Sequence, residues 1–270
     1  MAWVLRGLRE GIVTTRYPKR ADGYGPNFRG SISVLDGRTG VSPGLGGALD
    51  EHDSTLSSLC PTGAIKDHLG DVALDRGRCI LCGRCVEARP DRFAFGSSPE
   101  VARLDRAGLV VPDRLESDEE LARLRAELGR RVRGLRRSVH VRHVDAGSDG
   151  SEEWEVAALG NPVYDVQRLG IFFTASPRHA DMLLVTGTGT EGMAGPLRTT
   201  YEAMPDPKVV LAAGTDAISG GLVRPSYATR DGVESIVPVD IFVPGSPPSP
   251  FSLLHGILLA IGLLPAPVTR

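Results

Sequence analysis

The sequence predicts a chain in two parts. A small α+β unit organised around cysteines comes first, and an α/β unit with an open parallel sheet follows it after a helical connector. Three observations lead there. All four cysteines fall in one stretch, from Cys60 to Cys85. From about Val139 onward, short apolar runs alternate with Gly-rich turns and helical segments, the pattern of a parallel sheet. The 270 residues, 41% of them hydrophobic, suffice for two small cores. A net charge of −2 and an aromatic content of 5% argue against a nucleic-acid binder, which would need a basic face and stacking platforms.

At the N-terminus, Trp3, Val4, Leu5, Leu8 and Ile12 fall roughly on one helical face with Arg6 and Arg9 between them. Such a helix can cap a core, dock on a partner or lie at a membrane surface. No secretory apolar region opens the chain. Residues Gly11 to Gly30 read as an extended arm.

The first unit is organised by Cys79-Ile80-Leu81-Cys82-Gly83-Arg84-Cys85. Thiols at i, i+3 and i+6 converge while the backbone turns around them, and Gly83 can take dihedrals closed to other residues. One such loop wraps three corners of an iron–sulfur cube, which needs a fourth thiolate. The remaining cysteine, Cys60, precedes Pro61, and a Cys-Pro thiol is the distant ligand in two-cluster ferredoxins. Cys60, Cys79, Cys82 and Cys85 are therefore the expected ligands of one [4Fe–4S] cluster. A four-cysteine zinc site is the alternative, although it would ordinarily pair two C-x2-C knuckles.

Residues 96–113 suggest a strand pair. Ser117 followed by Asp118, Glu119 and Glu120 marks a helix start, and Leu121, Leu124, Leu128, Val132 and Leu135 recur at helical spacing to about Gly134. Arg130, Arg131, Arg133, Arg136, Arg137 and Arg142 form a basic cluster, read as a solvated face or a docking patch. In the second unit Ile171–Phe173, Met182–Val185, Val209–Ala212 and Ile236–Val243 read as buried strands, and Gly195–Ala203 as a helix. The apolar run Phe251–Leu264, bounded by Pro250 and Pro265, reads as a buried helix, since its 14 residues fall short of a membrane span. Gly187-Thr188-Gly189-Thr190-Glu191-Gly192 is a G-x-G-x-x-G between a strand and a helix, with Asp216 after the next strand. By itself that loop admits a flavin- or NAD-binding reductase, with Thr186, Thr188 and Thr190 around a phosphate.

Gly11, Thr14, Tyr17-Pro18, Asn27-Phe28-Arg29-Gly30 and the stretch Gly77 to Cys85 resemble the ferredoxin-like subunit of formate hydrogenlyase and hydrogenase-4 complexes, related to the two-cluster ferredoxin subunit of respiratory complex I. The resemblance covers about residues 1–95. It implies a ferredoxin-like fold from which one of two clusters has been lost: the positions of its ligands hold Asp50, Asp53, Leu56 and Arg89. Further on, His143 to Ser148, Asn161 to Ile171, Ser176 to Asp181, Gly195-Pro196-Leu197, Asp206 to Lys208, Ala217 to Gly221 and Val243 to Gly245 resemble the small, cluster-carrying subunit of complex I and of membrane-bound [NiFe] hydrogenases, over about 139–270. This implies a flavodoxin-like domain, and the family does not bind nucleotide at its glycine loop.

The implied organisation is a fusion: a ferredoxin-like domain 1–95, a linker with an amphipathic helix 96–138, and an α/β domain of the small-subunit kind, 139–270. That family binds a terminal cluster through four cysteines, whose positions here hold Asp149, Glu152, Asp216 and Ser246. These residues suit hydration or pairing with arginines such as Arg178 or Arg224; the alternative is a hard-cation site for Mg²⁺ or Ca²⁺. His143, His179 and His255 lie near these segments, and His179 is expected to be a hydrogen-bonded structural histidine. The function implied is an iron–sulfur electron-transfer subunit of a membrane-associated complex, without its terminal cluster. A scaffold with a non-redox cluster is the rival. Implied partners are a hydrogenase- or complex-I-like large subunit and antiporter-like membrane subunits, with no span of its own, on the inner face of the cell membrane.

Overall fold

The computed structural model describes residues 2–20, 28–35, 56–68, 71–112, 118–134, 138–223 and 225–264. Asp50, Asp53, Ser117, Leu135, Arg136, Arg137 and Arg224 lie outside them, as does the middle of the Gly11–Gly30 arm.

The C-terminal unit is a five-stranded sheet, parallel throughout, of β6 (Val139–Asp145), β7 (Ile171–Phe173), β8 (Met182–Thr186), β9 (Val209–Ala213) and β10 (Ile241–Val243). The spatial order β10-β9-β8-β6-β7 is that of doubly wound flavodoxin-like sheets. Period-two alternation splits each strand between two cores. Val139, Val141, Met182, Leu184, Val209, Leu211, Ile241 and Val243 face one side, covered by α8 (Pro250–Ala260). Val144, Leu183, Val185, Val210, Ala212 and Phe242 face the other, covered by α6 (Glu191–Ala203) and α7 (Thr215–Ser219). Helix α8 is buried along its whole length, and Ser249 caps it by accepting from Ser252 N–H. The expected strand 236–243 forms only at Ile241–Val243. Val233–Ser235 is instead a short 3₁₀ turn running into Ile236, whose side chain packs in the second core.

The N-terminal part contributes two antiparallel pieces. Strand β1 (Ser31–Val34) pairs with β4 (Phe93–Gly96), and β3 (Asp71–Asp75) lies between β2 (Ile65–His68) and β5 (Val110–Val111). The expected strand pair within 96–113 does not form, because β4 and β5 each find a partner outside that segment. With α2 (Leu56–Leu59) and α3 (Arg84–Ala88) these strands enclose a third core of Ile32, Leu56, Ile65, Val72, Leu74, Phe93 and Val111, into which Cys79 and Cys85 are packed.

The two parts are joined by backbone as well as side chains. Arg103 exchanges both backbone hydrogen bonds with Phe242, at 2.9 Å each, and so covers the open edge of β10. Helix α4 (Asp118–Arg131) buries Leu128, with Val132 beyond its end, in the first core, and Arg131 pairs with Asp240 at 2.5 Å. Thr15 N–H bonds to Val163 C=O and Tyr17 packs edge-on to Phe251. Helix α1 (Ala2–Glu10) does not cap a core: Trp3, Leu5 and Leu8 are exposed.

Candidate iron–sulfur centre and the pole beside it

The cysteine loop leaves β3 through a tight turn held by Asp75. Its carboxylate accepts from Gly77 N–H and takes a bidentate pair from Arg106 at 2.8 and 2.7 Å. Gly83 takes φ 79° at the start of α3, as its place in the loop required. Cys60 sits at the end of α2, where the chain turns toward β2. Cys60, Cys79, Cys82 and Cys85 line one cleft, walled by Ile32, Ile65, Leu74 and Ile80, with Arg84 beside it. All four are free thiols; Cys79 and Cys85 are buried and Cys82 is exposed. Cys60 Sγ accepts from Ala64 N–H at 3.2 Å, and Cys79 Sγ from Leu81 N–H at 3.4 Å.

Burial pushes the Cys79 thiol up to about 12, and the other three sulfurs add to the rise. Burial also raises Cys85. At Cys60 burial acts upward, but the Thr62 hydroxyl and the backbone N–H groups of Thr62, Ala64 and Ile65 outweigh it, so the thiol lies below its ordinary value. A cation binding there must displace the proton that burial favours at Cys79 and Cys85. Among the described residues no three His, Cys, Asp or Glu side chains converge to hold a single metal ion.

The loop is clamped to the α/β unit by α7. Thr215 donates its hydroxyl to Cys79 C=O at 3.0 Å, and Ser219 donates to Gly77 C=O at 2.8 Å. Arg78 reaches Asp231 with two bonds of 2.9 and 2.8 Å. Sequence reasoning missed Thr215 and Ser219. Their i, i+4 spacing marks one helix face, but nothing in the chain says that this face meets a loop 136 residues away.

Asp149, Glu152, Asp216 and Ser246 all fall at the carboxyl ends of the parallel strands, the pole where open α/β sheets bind ligands. Glu152, in α5 (Ser151–Ala158), is fully buried, and its Oε1 has no hydrogen-bond partner. Burial and then Asp216 push its carboxyl up to about 7. Asp216 is raised by burial and by Asp149 and Glu153. Asp149 is exposed and held low by its bonds to Ser151. Ser246 is exposed beyond β10, next to Gly245, whose C=O accepts from Thr215 N–H. Among the described residues neither Glu152 nor Asp216 has an arginine partner, so the expected pairing with Arg178 is absent. The hard-cation alternative finds no converging set there either.

The glycine loop is filled by protein. A Cβ at Gly187 would meet Gly147 and Ser148 backbone at 2.6 Å. The N–H groups of Thr188 and Thr190 bond to Gly147 and Ala146 C=O, that of Glu191 to Ala228 C=O, and the Thr188 and Thr190 hydroxyls to the same Gly147 and Ala146 carbonyls. Thr186 is engaged by Glu153 and His143. These threonine hydroxyls and N–H groups are already given to protein acceptors. His255 accepts from Ala102 N–H and burial lowers it to about 4. His179 is exposed and makes no side-chain hydrogen bond among the described residues, contrary to expectation.

Comparison with known proteins agrees with this architecture. Residues 150–260 match the family of the NADH ubiquinone oxidoreductase 20 kDa subunit, and residues 72–126 match a 4Fe-4S single cluster domain that includes Cys79, Cys82 and Cys85 but not Cys60. Over 147 residues the chain is 39% identical to a probable membrane-bound hydrogenase subunit of Pyrococcus furiosus, covering 88% of that protein and 54% of this one. The chain belongs to the 20 kDa subunit family. It is also 39% identical over 160 residues to formate hydrogenlyase subunit 7 of Escherichia coli, covering 59% of this chain and 61% of that relative. Among solved structures, a chain of the archaeal membrane-bound sulfane sulfur reductase complex matches with 31% identity and a TM-score of 0.44, over 49% of this chain and 73% of that one. A 20 kDa-type α/β unit preceded by a 4Fe-4S segment is what a fusion of two such subunits contains. No described helix is long and apolar enough to cross a membrane.

Proposed function

We propose that this chain is an iron–sulfur electron-transfer subunit of a membrane-associated complex of the hydrogenase, formate hydrogenlyase and complex I kind. It carries one [4Fe–4S] cluster on Cys60, Cys79, Cys82 and Cys85 and has lost the terminal cluster of its family. The observation that carries this reading is the single cleft lined by all four cysteines of the chain. The donor set fits: four free thiols, apolar walls, and backbone N–H groups aimed at two sulfurs, the kind of bond that sets a cluster's potential. When bound, the cluster supplies one-electron chemistry; the chain supplies burial, the N–H bonds and the clamp by Thr215 and Ser219.

The loss of the terminal cluster is supported by its positions holding Asp149, Glu152, Asp216 and Ser246, which offer carboxylates and a hydroxyl in place of thiolates. The ferredoxin-like character of 1–95, the connector 96–138 and the boundary near 139 belong to the same proposal, as do a large-subunit partner, antiporter-like membrane partners and a place on the inner face of the cell membrane. Iron and sulfide analysis of the anaerobically purified chain tests it, with about four irons per chain expected for a cubane and an EPR signal on reduction. Zinc in place of iron, or full iron content in a Cys60→Ser variant, refutes the ligand assignment. Iron that cannot be reduced selects the scaffold reading.

A further inference from the structure

The helix at the start of the chain carries an apolar face that neither unit covers. In α1, Trp3 is 80% exposed, Leu5 67% and Leu8 77%, and Ile12 just beyond the helix is 82% exposed. Val4, Leu5 and Leu8 fall within one arc of about 100° of the helix, with Arg6 and Arg9 outside it. A Cβ at Gly7 would meet nothing within 4 Å, so that side of the helix also stands clear of the fold. The helix is nevertheless tied down. Gly11 N–H closes its last turn on Gly7 C=O, and the chain is then fixed to the α/β unit. The Thr14 hydroxyl donates to Pro162 C=O at 2.8 Å, Thr15 N–H to Val163 C=O at 2.7 Å, and Arg168 donates to Tyr17 C=O at 2.9 Å. The fold holds this face in place without covering it.

We propose that α1 and the basic arm after it form a docking surface for an anionic lipid bilayer, with the helix lying in the plane of the interface. Charge selects this occupant. Residues 1–20 carry five basic side chains and one acid, a net +4 in a chain whose total is −2. The one acid, Glu10, is already paired with Arg6 at 2.8 Å. Arg9, Arg16, Lys19 and Arg20 are exposed. An apolar face flanked by exposed cations complements an acyl layer topped by headgroup phosphates. Trp3, at the margin of the apolar arc, suits the headgroup level. Nine residues make a helix of about 13 Å, too short to cross a bilayer and able to lie along one.

Helix α1 lies ahead of both matched family segments, which begin at residues 72 and 150. A short amphipathic helix joined to a basic patch supplies two weak signals, and together these give reversible attachment. Attachment of this strength orients the chain on the bilayer and adds to the contacts that other subunits make, because a second tether raises effective concentration. The inference deepens the membrane-associated part of the function proposed above and does not depend on the cluster.

The test mixes the full chain, purified anaerobically, with vesicles of phosphatidylcholine made with or without phosphatidylglycerol. The chain has two tryptophans, so Trp154→Phe leaves Trp3 as the sole fluorescent reporter. The chain is expected to sediment with the phosphatidylglycerol vesicles only and to be released by salt. Trp3 emission should shift to the blue and be quenched by brominated acyl chains. Leu8→Glu should lower the bound fraction by at least about tenfold. Arg9→Gln should lower it about fivefold, one charge's share of the attraction. Leu8 is exposed, so its substitution should leave the melting temperature unchanged and a loss of binding is not a loss of fold. Equal binding to phosphatidylcholine alone, or a Leu8→Glu chain that binds like the wild type, overturns the proposal. So does a chain that ignores both vesicles; a dimer in light scattering that Leu8→Glu dissociates then gives the face to a second copy. Iron content is read on the same sample. An iron-free chain that still binds the anionic vesicles sinks the cluster reading alone, and an iron-loaded chain left in the supernatant sinks the lipid surface alone.

Discussion

The clamp between α7 and the cysteine loop gives the sharpest test of how the two parts of the chain cooperate. Thr215→Val keeps the shape of a fully buried side chain and removes only its hydroxyl, leaving Cys79 C=O without its donor. Ser219→Ala does the same to Gly77 C=O. A buried carbonyl stripped of its partner costs about 1–3 kcal/mol. Each single substitution should therefore lower stability by about that much, equivalent to about 2–4 °C of melting temperature per kcal/mol in a chain of this size. Because both hydroxyls hold one loop, the double variant should cost less than the sum. The readouts are anaerobic thermal unfolding by circular dichroism and the rate of iron loss to a chelator. Iron loss should accelerate more than unfolding does, since the bonds hold the ligand loop and not the sheet. A double variant that unfolds within about 0.5 kcal/mol of the wild type, with iron loss unchanged, would refute this account.

Further outcomes follow from the same contacts. The pair Arg78–Asp231, with side chains 30% and 50% exposed, should contribute only about 0–1 kcal/mol; Asp231→Asn should therefore move the melting temperature far less than Thr215→Val. Glu152 has a folded-state value raised above its unfolded one, so its contribution is fully present below about pH 4.5 and is lost as pH rises through about 7. Urea unfolding of the wild type should accordingly weaken across that window by up to about 3 kcal/mol, and Glu152→Gln should be flatter. Gly187→Ala places a Cβ 2.6 Å from backbone at φ 80°, and should lower stability by more than the roughly 1–2 kcal/mol of a left-handed residue alone. Because the Thr188, Thr190 and Glu191 N–H groups are already bonded to protein carbonyls, NADH or FMN should leave the melting temperature unchanged; a saturable shift would revive the nucleotide reading.

Much of this molecule was legible in its residue order. The alternation from Val139 announced a parallel sheet because buried parallel strands are apolar on both faces, and three of the four expected strands appear at the expected residues and the fourth in part. Where the expectation 236–243 overran, Pro238 had already interrupted the run and only Ile241–Val243 lies against β9. The glycine loop misled as a bare motif, since G-x-G-x-x-G records tight turning and close backbone approach without saying what approaches. Here it is Gly147 and Ser148. Helix α1 showed the converse: its amphipathic spacing was readable, but whether anything in the chain covers that face was not, and nothing described does.

Thiol spacing and the Cys-Pro pair were local chemistry, and the chain alone determined them. Spacing controls which side chains can converge within one turn of backbone. What only the tertiary structure decided lies between distant segments: that Cys60 shares a cleft with the Cys79 loop, that α7 holds that loop by two hydroxyls, and that Glu152 is buried against Gly214 with an oxygen left over. Those relations depend on which helix end meets which strand end once both faces of the sheet are covered. Burial then raises the proton affinity of the Glu152 carboxyl above that of an ordinary exposed one.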